Sequence, residues 1–461
     1  MQLSESNFAR GVSSNSRLSV LFVHVFLTVG FLIITGAFTL QLSGIDPHVG
    51  VTESLRENGS MVMQILLGVS YLGAVVLVVG SRDALNVAAR AWPILILPIL
   101  AFVSISWSPD GYMTLRKSIA FLGTILFGLS MAARLPPADC IRLLVRAMTL
   151  ETVLSVIWVI VFPYYGVHQE TDSAIFESIH HGLWRGVLAH RVELGFFSAL
   201  TFSLLVFYGP IVFHSRMLRY CGIGLSVVCL LGAQSGLGFV TAAIATSLLF
   251  LISWIARSNM HGRFVLIIMV LLSAIILSFF ASIIFTVLLE FLGKQPDITG
   301  RTVFWHYVIS LIAERPLFGY GYFAGFALTV GPMIDGVAHI HLVNTHNGYL
   351  EALVAFGYVG SAICFAVLIW LLWNAILMIA KGSAALGKIN AFPLSMLVIV
   401  FLASLVEAML IKENHISVVL MAMSAGLIAR ESRAQIVSGV YGNRMRKQRS
   451  YATRNVTNLR T

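Results

Sequence analysis

An all-α integral membrane protein with about 12 transmembrane helices is the architecture this sequence predicts. Three observations carry the expectation. Of 461 residues, 58% are hydrophobic and only 11% charged, against roughly 25% charged in a soluble protein. That leaves too little polar surface to solvate a globule of this size. The apolar runs are about 18 to 25 residues long and apolar on all sides, whereas a barrel strand alternates over roughly 10. The basic residues gather in alternate connecting segments, as the positive-inside rule requires.

In chain order, the first apolar run extends from Ser19 to about Leu42. It is too long for a signal-peptide core and has no clear small-residue cleavage site, so it reads as a retained span. Further spans are expected near 62–80, 92–106, 117–132, 143–163, 187–213, 221–235, 237–255 and 264–289. A long polar segment, about 290–347, then interrupts the pattern. Spans resume near 348–380, 391–410 and 415–429. Residues 1–429 thus form one polytopic membrane domain, and 430–461 a basic tail. No repeat of 20–50 residues and no low-complexity tract is present.

Placing both termini in the cytoplasm puts most of the 30 Lys and Arg on the inside, among them Arg82, Arg90, Arg134, Arg142, Arg146 and the eight basic residues of the tail. The long segment between the ninth and tenth spans then lies outside, in the periplasm of a Gram-negative cell. The net charge of +10 is accounted for by this topology and by a tail near anionic bilayer lipid, so nucleic acid is not an expected partner. Cys140, Cys221, Cys229 and Cys364 lie away from the long segment. They imply no disulfide framework and no cysteine metal site.

The long segment carries Arg301, His306, Arg315, His339, His341 and His346. No Walker-type loop, GxSxG elbow or HExxH motif occurs, so an ATP-driven pump is disfavoured. Any substrate handled here must arrive activated. A helix opening at Arg301 would align Phe304, Tyr307, Val308 and Leu311, the pattern of a helix lying in the membrane interface. Arg301 at its start suits a phosphate, because a guanidinium donates paired hydrogen bonds and stays charged; a snorkelling interface arginine is the competing reading.

His346 sits in Thr345-His346-Asn347-Gly348 at the opening of a long helix, with Thr345 or Asn347 as its N-cap. The positive end of a helix dipole disfavours a cationic ring, which suits a general base. A histidine that merely satisfies the helix end is the alternative. His339, His341 and His346 also raise the possibility of zinc, but no carboxylate or cysteine completes an obvious shell, and the expected metal count is none. A second outer cluster runs from Trp184 through Arg185 and His190 to Arg191 and Glu193. Arg191 and Glu193 enter an apolar helix, where ionisable groups usually face a partner or a cavity; a structural ion pair between the two is one reading.

With these residues in view, the chain resembles the O-antigen ligase and Wzy-type polymerase superfamily, in its exopolysaccharide polymerisation branch. The carrying pieces are Gly300-Arg301-Thr302 with Trp305, then Arg315-Pro316-Leu317-Phe318-Gly319-Tyr320-Gly321, then Thr345-His346-Asn347-Gly348-Tyr349-Leu350-Glu351 and Phe356-Gly357-Tyr358-Val359-Gly360. Trp107-Ser108-Pro109 and the 184–190 cluster also match. The family often has a Ser-Arg-Thr or Ser-Lys-Thr element; here Gln234-Ser235-Gly236-Leu237-Gly238 lacks the basic residue, and Arg185 and Arg191 are the candidates to replace it.

The resemblance implies a cofactor-free, metal-independent membrane glycosyltransferase of the bacterial inner membrane. Its donor would be an undecaprenyl-pyrophosphate-linked oligosaccharide. Arg301 and Arg315 would neutralise the leaving pyrophosphate, and His346 would deprotonate the attacking hydroxyl. His190, Tyr349 and Glu351 would contact or orient substrate. Polymerisation of lipid-linked repeats into an exopolysaccharide is the expected activity, with chain-length regulators or export proteins as possible partners. The alternatives are ligation of the glycan to lipid A–core or another acceptor and, in a different class, transport of a lipid-linked glycan. A transporter would favour charged or broken spans at the midplane.

Overall fold

The computed structural model describes residues 14–47, 60–172, 180–259, 262, 301–338 and 342–431. The principal helices are α1 (Ser14–Ile34), α2 (Met61–Val79), α3 (Arg82–Arg90), α4 (Ile96–Val103), α5 (Gly111–Arg134), α6 (Pro137–Val161) and α7 (Arg191–Val212). They continue with α8 (Arg216–Ala233), α9 (Gly236–Arg257), α10 (Arg301–Glu314), α11 (Gly331–Ala338), α12 (Gly348–Lys381) and α13 (Gly387–Ala403). A last helix, α14, covers 416–431. Among the described residues no strand occurs; an isolated antiparallel bridge joins Val167 and Trp184.

Seven of these helices are long and apolar enough to cross a membrane. There are eight if Arg82–Arg90 and Trp92–Ser106, bent by 69° at their junction, count as one broken span. Val20–Ile34 and Gly387–Ala403 are shorter apolar helices. The expected span at 264–289, the polar stretch from there to Arg301, and the tail beyond Glu431 lie outside the described residues. The protein is therefore a multi-pass helical membrane protein, with seven or eight candidate spans among the described residues against the 12 expected for the whole chain.

Local sequence explains where the helices begin. Ser60, Ser81, Asp110, Ser215 and Ser235 each accept a hydrogen bond from the backbone N–H three residues on, the ordinary use of a short polar side chain at a helix start. Asn347 does the same for Tyr349 and Leu350 at the start of α12. Pro137 opens α6, where its missing N–H has no partner to lose.

Two helices form the centre. α7 and α14 are apolar on all sides and buried on all sides, which is how such a helix reads inside a bundle; Phe196, Leu200, Leu204, Val418, Leu420 and Ala422 have no exposed area. Small residues let the backbones approach. A Cβ on Gly238 of α9 would stand 2.8 Å from the Gly195 carbonyl oxygen of α7, and one on Gly128 of α5 would meet the Val419 carbonyl of α14 at 2.6 Å. α2 lies at the periphery, with Ile65, Val69, Leu72, Val76 and Val79 exposed, a surface suited to lipid.

Candidate functional site

The starts of α5, α7, α9 and α12 and the ends of α6, α8 and α13 meet at one end of the bundle. Their hub is the turn from Ser404 to His415, between α13 and α14. The Gly348 N–H donates to the carbonyls of Ser404 (2.7 Å) and Glu407 (3.1 Å). The Asn347 side-chain amide donates to the Leu405 carbonyl at 3.1 Å. The start of α12 is thereby fastened to this turn.

His346 is held between them, one residue before the N-cap. Its backbone is left-handed, with φ of 47°, and its N–H donates to Asn344 Oδ1 at 2.7 Å. The imidazole Nδ1 lies 3.2 Å from Glu407 Oε2, with both side chains partly exposed. An ionised carboxylate only accepts, so in this contact Nδ1 is the donor to Glu407. Phe304 packs beside the ring at 6.2 Å between centroids.

The loop that carries His346 is tied from below. Glu351, in the first turn of α12, accepts from the Thr345 N–H at 2.9 Å. Trp305 Nε1 donates to the Thr345 carbonyl at 2.9 Å, and the Thr345 hydroxyl donates to the Asn347 carbonyl at 2.7 Å. Tyr349 turns inward and its hydroxyl donates to the Phe401 carbonyl at 3.0 Å. Glu351 and Tyr349 therefore set the loop's shape.

Two ion pairs flank this loop. Lys412 Nζ meets Glu193 Oε1 at 2.8 Å, and Lys117 Nζ meets Glu413 Oε1 at 2.6 Å. Burial works against the Lys412 ammonium, but Glu193 first, then Glu407 and Glu413, raise it above its ordinary value. Burial likewise opposes the Glu413 carboxylate, and Lys117 together with the hydrogen bonds to it holds it below the usual range. Both groups stay charged at neutral pH. Tyr322 donates to Glu413 Oε2 (2.9 Å) and to the Ile411 carbonyl (2.7 Å). Its burial, with Glu413 alongside, keeps the phenol well above its usual range.

Arg191 and Glu193 each have their own partner rather than forming the ion pair considered from sequence. The Arg191 guanidinium donates to the carbonyls of Gln234 (3.2 Å) and Ala233 (3.5 Å), at the very stretch that lacks a basic residue. Arg185 is fully buried; its guanidinium meets Asp172 at 2.8 Å and the carbonyls of Tyr165 and Tyr164 at 2.7 and 3.1 Å. These contacts tie it to Tyr164, Tyr165 and Asp172. His190 is the N-cap of α7, its Nδ1 accepting from the Val192 N–H at 3.2 Å. Its ring lies 5.2 Å from that of His168 and 5.5 Å from that of His180.

Arg301 opens α10; its side chain lies outside the described residues, as do His339 and His341. The face of α10 bearing Phe304 and Val308 is turned into the protein. It packs on Tyr320, Phe326, Val330, Ile334 and Val354. Arg315 is exposed and stacks over the Tyr320 ring at 4.8 Å. Among the described residues no group of three His, Cys, Asp or Glu could hold a metal ion.

The segments 315–321 and 356–360, separate in sequence, prove to be one unit. α12 breaks at Gly357, with φ 62° and ψ −166°, a conformation open to glycine. The chain at 316–321 fills the break: Tyr358 N–H donates to the Pro316 carbonyl (2.6 Å), Val359 N–H to Leu317 (3.2 Å), and Tyr320 N–H to Val354 (2.8 Å). Trp107 packs against Phe318 at 5.5 Å, and Gly321 sits against Ser108. These pieces brace the segment at 315–321 on the bundle.

Sequence reasoning missed Glu407, Lys412, Glu413 and Lys117. A signal was present: Glu407, Lys412, Glu413 and His415 crowd a short stretch between two apolar runs, where ionisable groups need a partner or a purpose.

The family described as O-Antigen ligase matches residues 221–365. That stretch includes Arg301, Arg315, His346, Tyr349 and Glu351, and excludes Arg185, His190, Arg191, Glu407 and Lys412. The chain is also 25% identical over 366 residues to the exopolysaccharide production protein ExoQ of Rhizobium meliloti (strain 1021), covering 76% of this chain and 80% of that protein.

Proposed function

We propose that the chain is a member of the O-antigen ligase and Wzy-type superfamily, as the match over residues 221–365 supports, and that it polymerises lipid-linked oligosaccharide repeats into an exopolysaccharide at the outer face of the bacterial inner membrane. The observation that carries the reading is the His346–Glu407 pair at the opening of α12. On this reading His346 is a base held in one tautomer by a carboxylate, with Lys412 and Lys117 at the same end of the bundle. The broad likeness to an exopolysaccharide production protein supports a polymer product.

The donor is an undecaprenyl-pyrophosphate-linked glycan, which is already activated and is held by the membrane. Glu407 orients the imidazole. His346 Nε2 takes the proton of the acceptor hydroxyl as its oxygen bonds the donor's anomeric carbon. The bond from that carbon to the phosphate oxygen breaks, and the pyrophosphate leaves with the electron pair. Arg301 and Arg315 neutralise it. Arg191, seated at Ala233 and Gln234, takes the place of the basic residue missing there, and Lys412 adds charge near the base. Proton transfer contributes roughly 10²–10⁴-fold, and fixed positive charge supplies much of the rest. No step uses a metal ion.

Both termini lie in the cytoplasm on this reading. The family description favours a second reading, in which the acceptor is lipid A–core or another non-repeat molecule and the product is a ligated glycan. One assay separates the two. Purified protein is given a defined lipid-linked repeat alone and the product is sized. A ladder of repeats supports the polymerase; product formed only when a different acceptor is added supports the ligase. No glycosidic bond in either condition overturns both.

A further inference from the structure

At the opposite end of the bundle from His346, a cavity of about 280 Å³ opens between α1 and α6, lined by His24, Val25, Thr28, Val29, Asp139, Arg142, Leu143 and Arg146. Nothing in the proposed chemistry uses it. We propose that this cavity binds the phosphate-bearing headgroup of an anionic phospholipid.

The level in the bilayer follows from the helix ends. Asp139, Arg142 and Arg146 occupy the first turns of α6, and the arginines reach the carbonyls at the end of α7. Arg142 Nε donates to the Ile211 carbonyl at 3.0 Å, and Arg146 Nη2 to the Val212 carbonyl at 3.0 Å. Charged helix ends of this kind sit at headgroup depth.

The charge follows from the pairing. Asp139 takes Arg142 Nη1 at 2.6 Å, so those two charges largely cancel. Among the described residues no carboxylate pairs with Arg146, which is exposed. The cavity thus keeps one uncompensated guanidinium, anchored on a carbonyl and with further N–H groups to give. His24 Nδ1 is already directed to the Val20 carbonyl at 2.8 Å.

The occupant follows from the walls. Val25 and Val29 of α1 are exposed on the same face, so the basic mouth continues into an apolar surface. A free phosphate would use only the first. A phospholipid uses both, its phosphate on Arg146 and an acyl chain along the valines. Basic pockets between transmembrane helices recognise anionic headgroups on this principle.

The test uses the full chain purified in detergent. It is supplemented with dioleoyl phosphatidylglycerol or dioleoyl phosphatidylcholine, and retained lipid is counted by native mass spectrometry. Phosphatidylglycerol should be retained preferentially, by about fivefold or more, and Arg146→Gln should lose that preference. Arg216→Gln, a basic change at the same end but outside the cavity, should keep it. Val29→Trp, which fills the apolar wall and leaves every charge in place, should weaken retention of phosphatidylglycerol. Thermal unfolding curves in detergent confirm that each variant is folded. Equal retention of the two lipids would overturn the proposal, as would an Arg146→Gln protein that keeps the preference or an equal loss in Arg216→Gln. Stripping of the lipid by millimolar inorganic phosphate would assign the cavity to free phosphate instead.

Discussion

At the residue scale, the candidate chemistry rests on one imidazole and what holds it. His346 has a left-handed backbone, a hydrogen bond from its own N–H to Asn344, and Glu407 on Nδ1. Three constraints on one residue are more than a helix cap needs, since Asn347 already caps α12. His346→Gln keeps hydrogen bonding and cannot take a proton, so turnover of a defined lipid-linked donor should fall roughly 10²-fold or more. The KM for donor should hold, because the phosphate contacts are assigned elsewhere. Glu407→Gln should lower kcat by at least about tenfold with KM unchanged, since it disturbs only the orientation and charge state of the ring. Near-normal turnover of His346→Gln in the purified assay would reduce the pair to a structural contact. Arg301 is the second residue at stake. Losing a fixed charge at the leaving group should cost about 3–4 kcal/mol of transition-state stabilisation. Arg301→Lys should recover only part of it, because an ammonium lacks the paired donors. Normal polymer output from Arg301→Ala at normal membrane levels would exclude the assignment.

At the scale of elements, the break in α12 decides whether the 316–321 strap stays in place. The 316–321 strap pairs with the backbone groups on either side of the break, the N–H groups of Tyr358 and Val359 and the carbonyls of Val354 and Ala355. A Cβ at Gly357 would lie 2.5 Å from Leu317 backbone atoms while the backbone remained at positive φ. Gly357→Ala should therefore destabilise the protein by at least about 2 kcal/mol, strain and clash acting together. The check is a lowered Tm in detergent. Gly336→Ala makes the comparison: a Cβ there meets open space within α11, and alanine suits a helix better than glycine, so Tm should hold or rise slightly. Similar Tm values for the two variants would show that the strap does not depend on the break.

For the whole molecule, the polar groups are distributed by end. His346, Glu407, Lys412, Glu413 and Lys117 gather at one end, and Asp139, Arg142 and Arg146 at the other. Positive-inside reasoning assigns the second end to the cytoplasm. A reporter active only outside the cytoplasm should be active when fused near Pro296 or Asp335 and silent at Lys381 or in the tail. A silent fusion at Asp335 with an active one at Lys381 would invert the topology and remove the proposed outer-face chemistry.

By itself, the sequence determined the class of the protein, because all-round apolar runs of bilayer length have no other stable use. It also singled out His346, Arg301 and the Gly357 stretch, since a polar loop beside spans and a helix-start signal are local patterns. It did not show that the run at 92–106 stands bent by 69° against Arg82–Arg90, because a bend between neighbouring helices leaves no mark in apolar periodicity. Only the tertiary structure decided which charges meet. Lys412 finds Glu193 across 219 positions and Lys117 finds Glu413 across 296, distances over which periodicity carries no information. It also gave the phosphate candidates different places: Arg185 is buried on Asp172, Arg191 is seated at Gln234, and Arg315 is laid over Tyr320. The physical reason is the same in each case. A membrane helix advertises its length and apolarity along the chain, whereas a charge is placed by whatever partner packing brings to it, and that partner is set by how the helices assemble.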